Sequence, residues 1–180
     1  MTTNKLALVG LTGAITCILG PIALPLPFSP VPISLGLFGV FLSIFLLGPF
    51  RGTISCSIYL LIGIVGLPVF SGFTGGIGVI FGPTGGYLLG YLLIPLLSGL
   101  FTLRKHSSHF LLLIGIIIGL LLCYITGTLW LGYQLGLDFY SALLIGVLPY
   151  LPADFTKLFL AWILGNTIRK RLHKARLLST

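Results

Sequence analysis

Charge is what this sequence has least of. Of its 180 residues, 10 are Lys or Arg and 2 are Asp or Glu, so charged side chains make up 7%. A soluble domain carries about 25%, because its surface has to be wetted; this scarcity excludes a water-bathed globule. Glutamate is missing altogether, and the two carboxylates are Asp138 and Asp154. No G-x-x-x-x-G-K-[ST] loop is present, which excludes an ATPase within the chain, and H-E-x-x-H and G-x-S-x-G are also absent. The three cysteines, Cys17, Cys56 and Cys123, lie in apolar runs at spacings that match no metal site. An odd number does not imply a disulfide framework, and they read as small packing residues. No catalytic residue, no metal site and no resident cofactor are expected.

What remains is apolar. Hydrophobic residues make up 57% of the chain, and mean hydropathy is +1.18, so most of the surface has to face lipid. A spanning helix takes about 20 residues, so the length holds about six and little else. The expected fold is an all-α integral membrane protein, a single six-helix domain over 1–180. The start resembles a signal peptide, with Lys5 ahead of Leu6–Leu19, but no A-x-A site follows, and Ala14-Ile15-Thr16-Cys17 fits a lipoprotein site poorly. It is taken as the first span.

Apolar runs fall at about Leu6–Ala23, Ile33–Leu47, Thr53–Leu67, Pro83–Phe101, Phe110–Gly132 and Pro152–Ile168. Nine of the ten basic residues (Lys5, Arg51, Arg104, Lys105, Arg169, Lys170, Arg171, Lys174 and Arg176) then fall on one side: the N-terminus, second connector, fourth connector and C-terminus. Cytoplasmic loops carry the excess of Lys and Arg, which places both termini in the cytoplasm of a multi-pass protein of the plasma or inner membrane. The same rule accounts for the net charge of +8 without nucleic acid. The cluster Arg169–Arg176 reads as the stop signal of the last span, and His106, His109 and His173 as solvated neighbours at that edge.

The outward connectors differ in kind. The first is crowded with Pro21, Pro25, Pro27, Pro30 and Pro32, which excludes helix and predicts a stiff loop folded over something. The third, residues 66–78, interleaves glycines with Phe70 and Phe73; its backbone N–H groups at Gly75 and Gly76 can approach a ligand while the rings cover an apolar body. Gly78, Gly82, Gly86 and Gly90 form a ridge of small residues, as do Gly115 with Gly119 and Gly10 with Ala14. Such ridges let helices approach closely, and only one of them needs to be a partner interface. The fifth connector leads into Pro152, with Asp154 in the first turn of the last helix and Lys157 three residues on, on the same face. An ionisable group inside a span has to face a partner, water or a ligand. A structural salt bridge and a ligand site are both open readings. An Asp–Lys pair beside aromatic loops suits a small neutral amide or cyclic urea, whereas an anionic ligand group would find the N–H groups of Gly75 and Gly76 and the hydroxyls of Thr74, Ser34 and Tyr87.

At these residues the sequence resembles a known family. Val31-Pro-Ile-Ser-Leu35, Leu67-Pro-Val-Phe70, Gly82-Pro-Thr-Gly-Gly-Tyr87 and Leu151-Pro-Ala-Asp-Phe-Thr-Lys157 are similar to signature stretches of BioY, the biotin-specific S component of energy-coupling factor (ECF) transporters. The good resemblance covers about 31–91 and 149–161; elsewhere it is mainly hydropathy and span count. It implies capture of biotin from outside and coupling to a transmembrane T component and a pair of ABC-type ATPases. It also implies that Asp154 and Lys157 bind the ligand with Tyr87 nearby, and that Gly10-x-x-x-Ala14 contacts the T component. One departure stands out: Gly36 occupies a position where the family commonly has Gln, which removes a polar or packing group. The alternatives are a binding subunit for another small vitamin, a solitary carrier without ATPases, an intramembrane enzyme, and a scaffold that assembles through its glycine ridges. The enzyme lacks a nucleophile with its base, and the scaffold leaves the outward polar groups unexplained.

Overall fold

A computed structural model describes residues 3–102 and 109–175. Arg104, Lys105, His106 and Arg176 lie outside the described residues, as do the side chains of His109 and His173. The chain runs α1 (Thr3–Leu19), a hairpin β1 (Ala23–Leu26) and β2 (Ser29–Ser34), α2 (Gly36–Leu47), α3 (Pro49–Val65), α4 (Ile77–Ile80), α5 (Gly85–Gly90), α6 (Leu93–Phe101), α7 (His109–Leu135), α8 (Phe139–Gly146) and α9 (Leu151–Lys174).

The expected spans are recognisable, with instructive differences. Phe110–Leu135 is by itself long and apolar enough to cross a membrane, and Phe139–Gly146 with Leu151–Leu172 qualifies as a pair bent by 51°. Thr3–Leu19, Gly36–Leu47, Pro49–Val65 and Gly85–Phe101 are apolar but shorter. The 12 residues of α2 rise only about 18 Å at 1.5 Å per residue, against a hydrocarbon core of about 30 Å. Burial explains why so short a helix is tolerated. Every residue of α2 except Phe38 is buried, between α1, α3 and α9. A helix that is apolar all round and walled by protein need not match the bilayer.

The second connector shrinks to Gly48, whose φ of 83° lets α2 end and α3 begin with Pro49 in its first turn. Pro83 does not open a helix: the fourth segment starts at Gly85 and restarts at Leu93. Within the fifth connector the apolar stretch forms α8, capped by Asp138, which accepts from the Ser141 N–H at 3.1 Å. Hydrogen bonding from the Ser141 side chain, and then from its backbone N–H, holds the exposed carboxyl below its ordinary pKa.

The proline-rich connector is a hairpin and not an irregular loop. Ala23 pairs with Ser34, Leu24 with Ile33 and Leu26 with Ser29, with an irregularity between Leu24 and Leu26. Only two strands make up this sheet, so both have open edges and prolines without N–H groups are accommodated.

The glycine ridges separate into two kinds. A Cβ on Gly115 or Gly119 would collide with the backbone of Ser98 or Ile94 in α6. One on Gly86 or Gly90 would meet Trp130 or Cys123 in α7. These four let α5, α6 and α7 approach closely. Gly10 instead has nothing within 4 Å of a built Cβ, and both Gly10 and Ala14 are exposed on α1.

Candidate ligand-binding cavity

The inward stripe of α9 is Asp154, Lys157, Leu158 and Ala161, all buried, and a spacing of three and four residues puts them on one face. Pro152 sits in the first turn, where its missing N–H has no intrahelical role. Asp154 follows at the positive end of the helix dipole, with 5% of its surface exposed, and Lys157 has 7%. Two charges so thoroughly removed from solvent have to satisfy each other. Lys157 Nζ donates to Asp154 Oδ1 at 2.8 Å. The second carboxylate oxygen accepts from the Tyr124 hydroxyl of α7 at 2.7 Å. One of the three ammonium donors of Lys157 is thereby directed at Asp154, leaving it further capacity for an acceptor.

This cluster forms the floor of a small inner chamber of about 40 Å³. Its walls are Val31–Ser34 of the hairpin, Leu37, Tyr87, Tyr91, Leu120, Cys123 and Tyr150. An outer chamber of about 400 Å³ adjoins it beneath the loops, reaching Pro30, Phe70, Thr74, Gly82 and Pro83. Val31, Pro32, Tyr87 and Tyr91 belong to both and form the partition.

Both sides of the partition are held in place. At the base of the hairpin the Ser34 hydroxyl donates to the Gly20 carbonyl at 2.8 Å and accepts from the Gly36 N–H at 2.9 Å. Farther out, the Tyr150 hydroxyl donates to the Val31 carbonyl and shares a 2.8 Å hydrogen bond with Ser29 Oγ. Opposite, the Tyr87 ring is seated on Gly127 and its hydroxyl on Gly146; a Cβ at either would overlap it. The Tyr87 hydroxyl lies 3.5 Å from Thr128 Oγ1. At Gly36, Tyr59 Oη and Ser34 Oγ would stand 3.2 and 3.3 Å from a Cβ, so the space a larger residue would need is filled here by Tyr59.

Asp154, Lys157, Ser34 and Tyr87 thus converge on the inner chamber, and Thr74 and Phe70 on the outer one. Phe70 is also a packing residue, 1% exposed and edge-on to Tyr59 with ring centroids 5.5 Å apart. Thr74 closes the turn at 70–74, its carbonyl accepting from Phe70 N and its hydroxyl donating to Ser71 O. Phe73, Gly75 and Gly76 do not join the chambers. Phe73 is 72% exposed, at a φ of 60° on the turn. Gly76 N–H donates to Gly63 O at 2.7 Å, so that donor is committed to the fold. Gly75 is pressed against the Leu67 carbonyl, where a Cβ does not fit.

Sequence reasoning did not single out Tyr124, Tyr91 or Tyr150. Tyr124 carried a signal: it is a phenol within the otherwise apolar run of α7, on the same face as Ile116, Leu120, Cys123 and Leu131, which are all buried.

At the opposite end of the bundle a cavity of about 720 Å³ lies among the end of α2, the start of α3, the end of α6 and α9, and it is lined by both Arg51 and Arg169. Two of the basic residues that the span count assigns to one side therefore do meet at one end, away from the Asp154–Lys157 pair.

Comparison with known proteins agrees with this architecture. Residues 1–174 match the BioY family. The chain is 38% identical to the biotin transporter BioY of Thermotoga maritima, over 81% of this chain and 85% of that one. It is 35% identical to the probable biotin transporter BioY of Pyrococcus horikoshii, over 94% and 98%. Among solved structures it matches the S component for biotin from an ECF-type ABC transporter with a TM-score of 0.83 and 33% identity, covering 94% of this chain and 95% of that one. A second S component of a bacterial ECF transporter, 21% identical with a TM-score of 0.52, shares the fold. These relatives are transporters, not enzymes, and are membrane proteins. The chain belongs to the BioY family.

Proposed function

We propose that this BioY-family chain is the substrate-binding membrane subunit for biotin uptake, and that it takes biotin into the chambers above Asp154 and Lys157 from outside the cell. One observation carries the reading: a carboxylate–ammonium–phenol cluster, almost fully buried, forms the floor of a cavity under a hairpin. A bare structural ion pair needs no chamber. The ureido ring of biotin offers N–H donors and a carbonyl acceptor side by side, which suit Asp154 and Lys157. The aromatic walls suit the sulfur ring, and the larger outer chamber suits the carboxylate chain.

The inner chamber has about 40 Å³, room for about one water molecule. Entry of a fused bicycle therefore requires the partition of Val31, Pro32, Tyr87 and Tyr91 to part, which merges the two chambers. The hairpin, anchored at its base by Ser34 and latched by Tyr150, is the moving wall.

The relatives support partnership with a T component and ABC-type ATPases, because the solved neighbours are ECF S components and the chain has no ATP-binding motif of its own. The outward Gly10–Ala14 stripe on α1 is the surface proposed for the T component. Gly86, Gly90, Gly115 and Gly119 are already spent on contacts inside the chain. The basic end faces the cytoplasm and the hairpin end faces outward.

Equilibrium binding of labelled biotin to the purified chain in detergent, competed with unlabelled biotin, thiamine and riboflavin, tests the reading. Saturable binding displaced by biotin alone is expected. Displacement by thiamine or riboflavin reassigns the ligand, and no binding by folded protein removes the biotin role.

A further inference from the structure

The largest cavity described so far is not the one above Asp154. It lies at the basic end, about 720 Å³, with apolar walls from Pro95, Leu96 and Leu100 of α6 and with Arg51 and Arg169 at its edge. Both arginines are half-buried as residues, and Arg51 donates weakly to the Leu47 carbonyl at 3.5 Å. The chain has two side-chain carboxylates in all. Asp138 caps α8 and Asp154 is bonded to Lys157, both toward the other end. No side-chain carboxylate is left to neutralise Arg51 or Arg169. Two guanidinium groups with no carboxylate partner beside an apolar groove, at the end that the charge bias assigns to the cytoplasm, call for an anion with a hydrocarbon tail. Guanidinium forks match phosphate geometry, and basic pockets between membrane helices on the cytoplasmic side hold anionic lipid headgroups.

We infer that this cavity seats one anionic phospholipid of the surrounding leaflet, with its phosphodiester between Arg51 and Arg169 and an acyl chain along Pro95, Leu96 and Leu100. The site is independent of the biotin reading and shares no residue with it. It ties α3 to α9 at the end where α2 and α6 terminate.

Native mass spectrometry of the purified full chain, titrated with phosphatidylglycerol or phosphatidylcholine of the same acyl chains, reads the site directly. Phosphatidylglycerol is expected to bind more tightly. The Arg51→Gln/Arg169→Gln variant is expected to lose about 25-fold in that affinity, about fivefold for each guanidinium removed near the membrane surface. Arg171→Gln, on the same helix and outside the cavity, leaves it unchanged. If the double glutamine variant fails to fold by size-exclusion profile, Arg51→Lys/Arg169→Lys keeps the charge, loses the fork and is expected to show a smaller loss. Leu96→Trp, which fills the groove without altering charge, also weakens the lipid. Equal affinity for both lipids, an unchanged affinity in the arginine variants, or displacement of phosphatidylglycerol by millimolar inorganic phosphate overturns the inference; the last would mark a site for a free anion.

Discussion

Tyr124 of α7 donates its hydroxyl to Asp154 Oδ2 of α9 across 2.7 Å, on the side of the carboxylate opposite Lys157. The phenol thus fixes which oxygen of Asp154 faces the ammonium and links the two longest helices by a side-chain hydrogen bond at the floor of the inner chamber. A charged acceptor with both oxygens engaged is oriented before any ligand arrives, which lowers the ordering cost of binding.

Asp154→Asn is therefore expected to weaken biotin binding by about 2–4 kcal/mol while the protein still inserts, because the buried donors facing it lose a charged acceptor. Tyr124→Phe is expected to cost less, about 1–2 kcal/mol, since it removes one charge-assisted hydrogen bond and leaves the pair. Equilibrium binding to the purified variants measures both, and normal affinity in a folded Asp154→Asn protein would remove the assignment.

Stability and binding should separate in a two-site experiment. Lys157→Met strands a buried carboxylate and is expected to destabilise the chain by about 3–5 kcal/mol. Adding Asp154→Asn to it removes the stranded charge, so thermal unfolding in detergent should recover most of that loss. Biotin binding should stay absent in the double variant. If binding returned together with stability, the pair would be a brace and nothing more.

Tyr150→Phe removes the hydroxyl that fastens the hairpin at Val31 and Ser29 without changing the chamber floor. A hydrogen bond of about 1 kcal/mol corresponds to about a fivefold effect on an equilibrium. The expected result is faster biotin dissociation by about that factor, read by chase with unlabelled ligand. An unchanged dissociation rate would mean that the hairpin is not the moving wall.

Glycine substitutions should fall into two classes. Gly10→Leu and Ala14→Leu place bulk on an outward face, so biotin binding by the purified chain is expected to be unaffected while uptake by cells with the T component falls. Gly127→Ala, under the Tyr87 ring, is expected to cost about 1–3 kcal/mol of stability through overpacking and to weaken binding as well.

Much of this arrangement was legible in the sequence because membranes restrict the choices. The scarcity of charge dictated spanning helices, and the one-sided arginines and lysines predicted an end at which Arg51 and Arg169 do meet. The pair at Asp154 and Lys157 could be singled out because an ionisable group in a span demands a partner. The hairpin was not legible as strands, since prolines exclude helix without choosing between loop and open-edged β structure. Tyr124 was passed over because a lone phenol on an apolar helix says nothing of what lies opposite until the fold brings Asp154 of α9 within reach of it. Phe73, Gly75 and Gly76 were expected at the ligand for their residue types. Their backbone bonds and exposure show that a glycine-rich turn uses much of its freedom to close on itself.

The near-complete burial of α2 bears on how the chain is made. Residues 36–47 are walled partly by α9, which begins at Leu151, more than a hundred residues later. Gly165 of that last helix lies against Phe45, with no room for a Cβ between them. A nascent chain that has delivered its first three helices to the bilayer still presents α2 with one flank uncovered, in a segment too short to reach across the hydrocarbon. Assembly therefore cannot finish in the order of synthesis: the second helix waits for the last, and a chain cut short before α9 lacks the wall that its own centre requires.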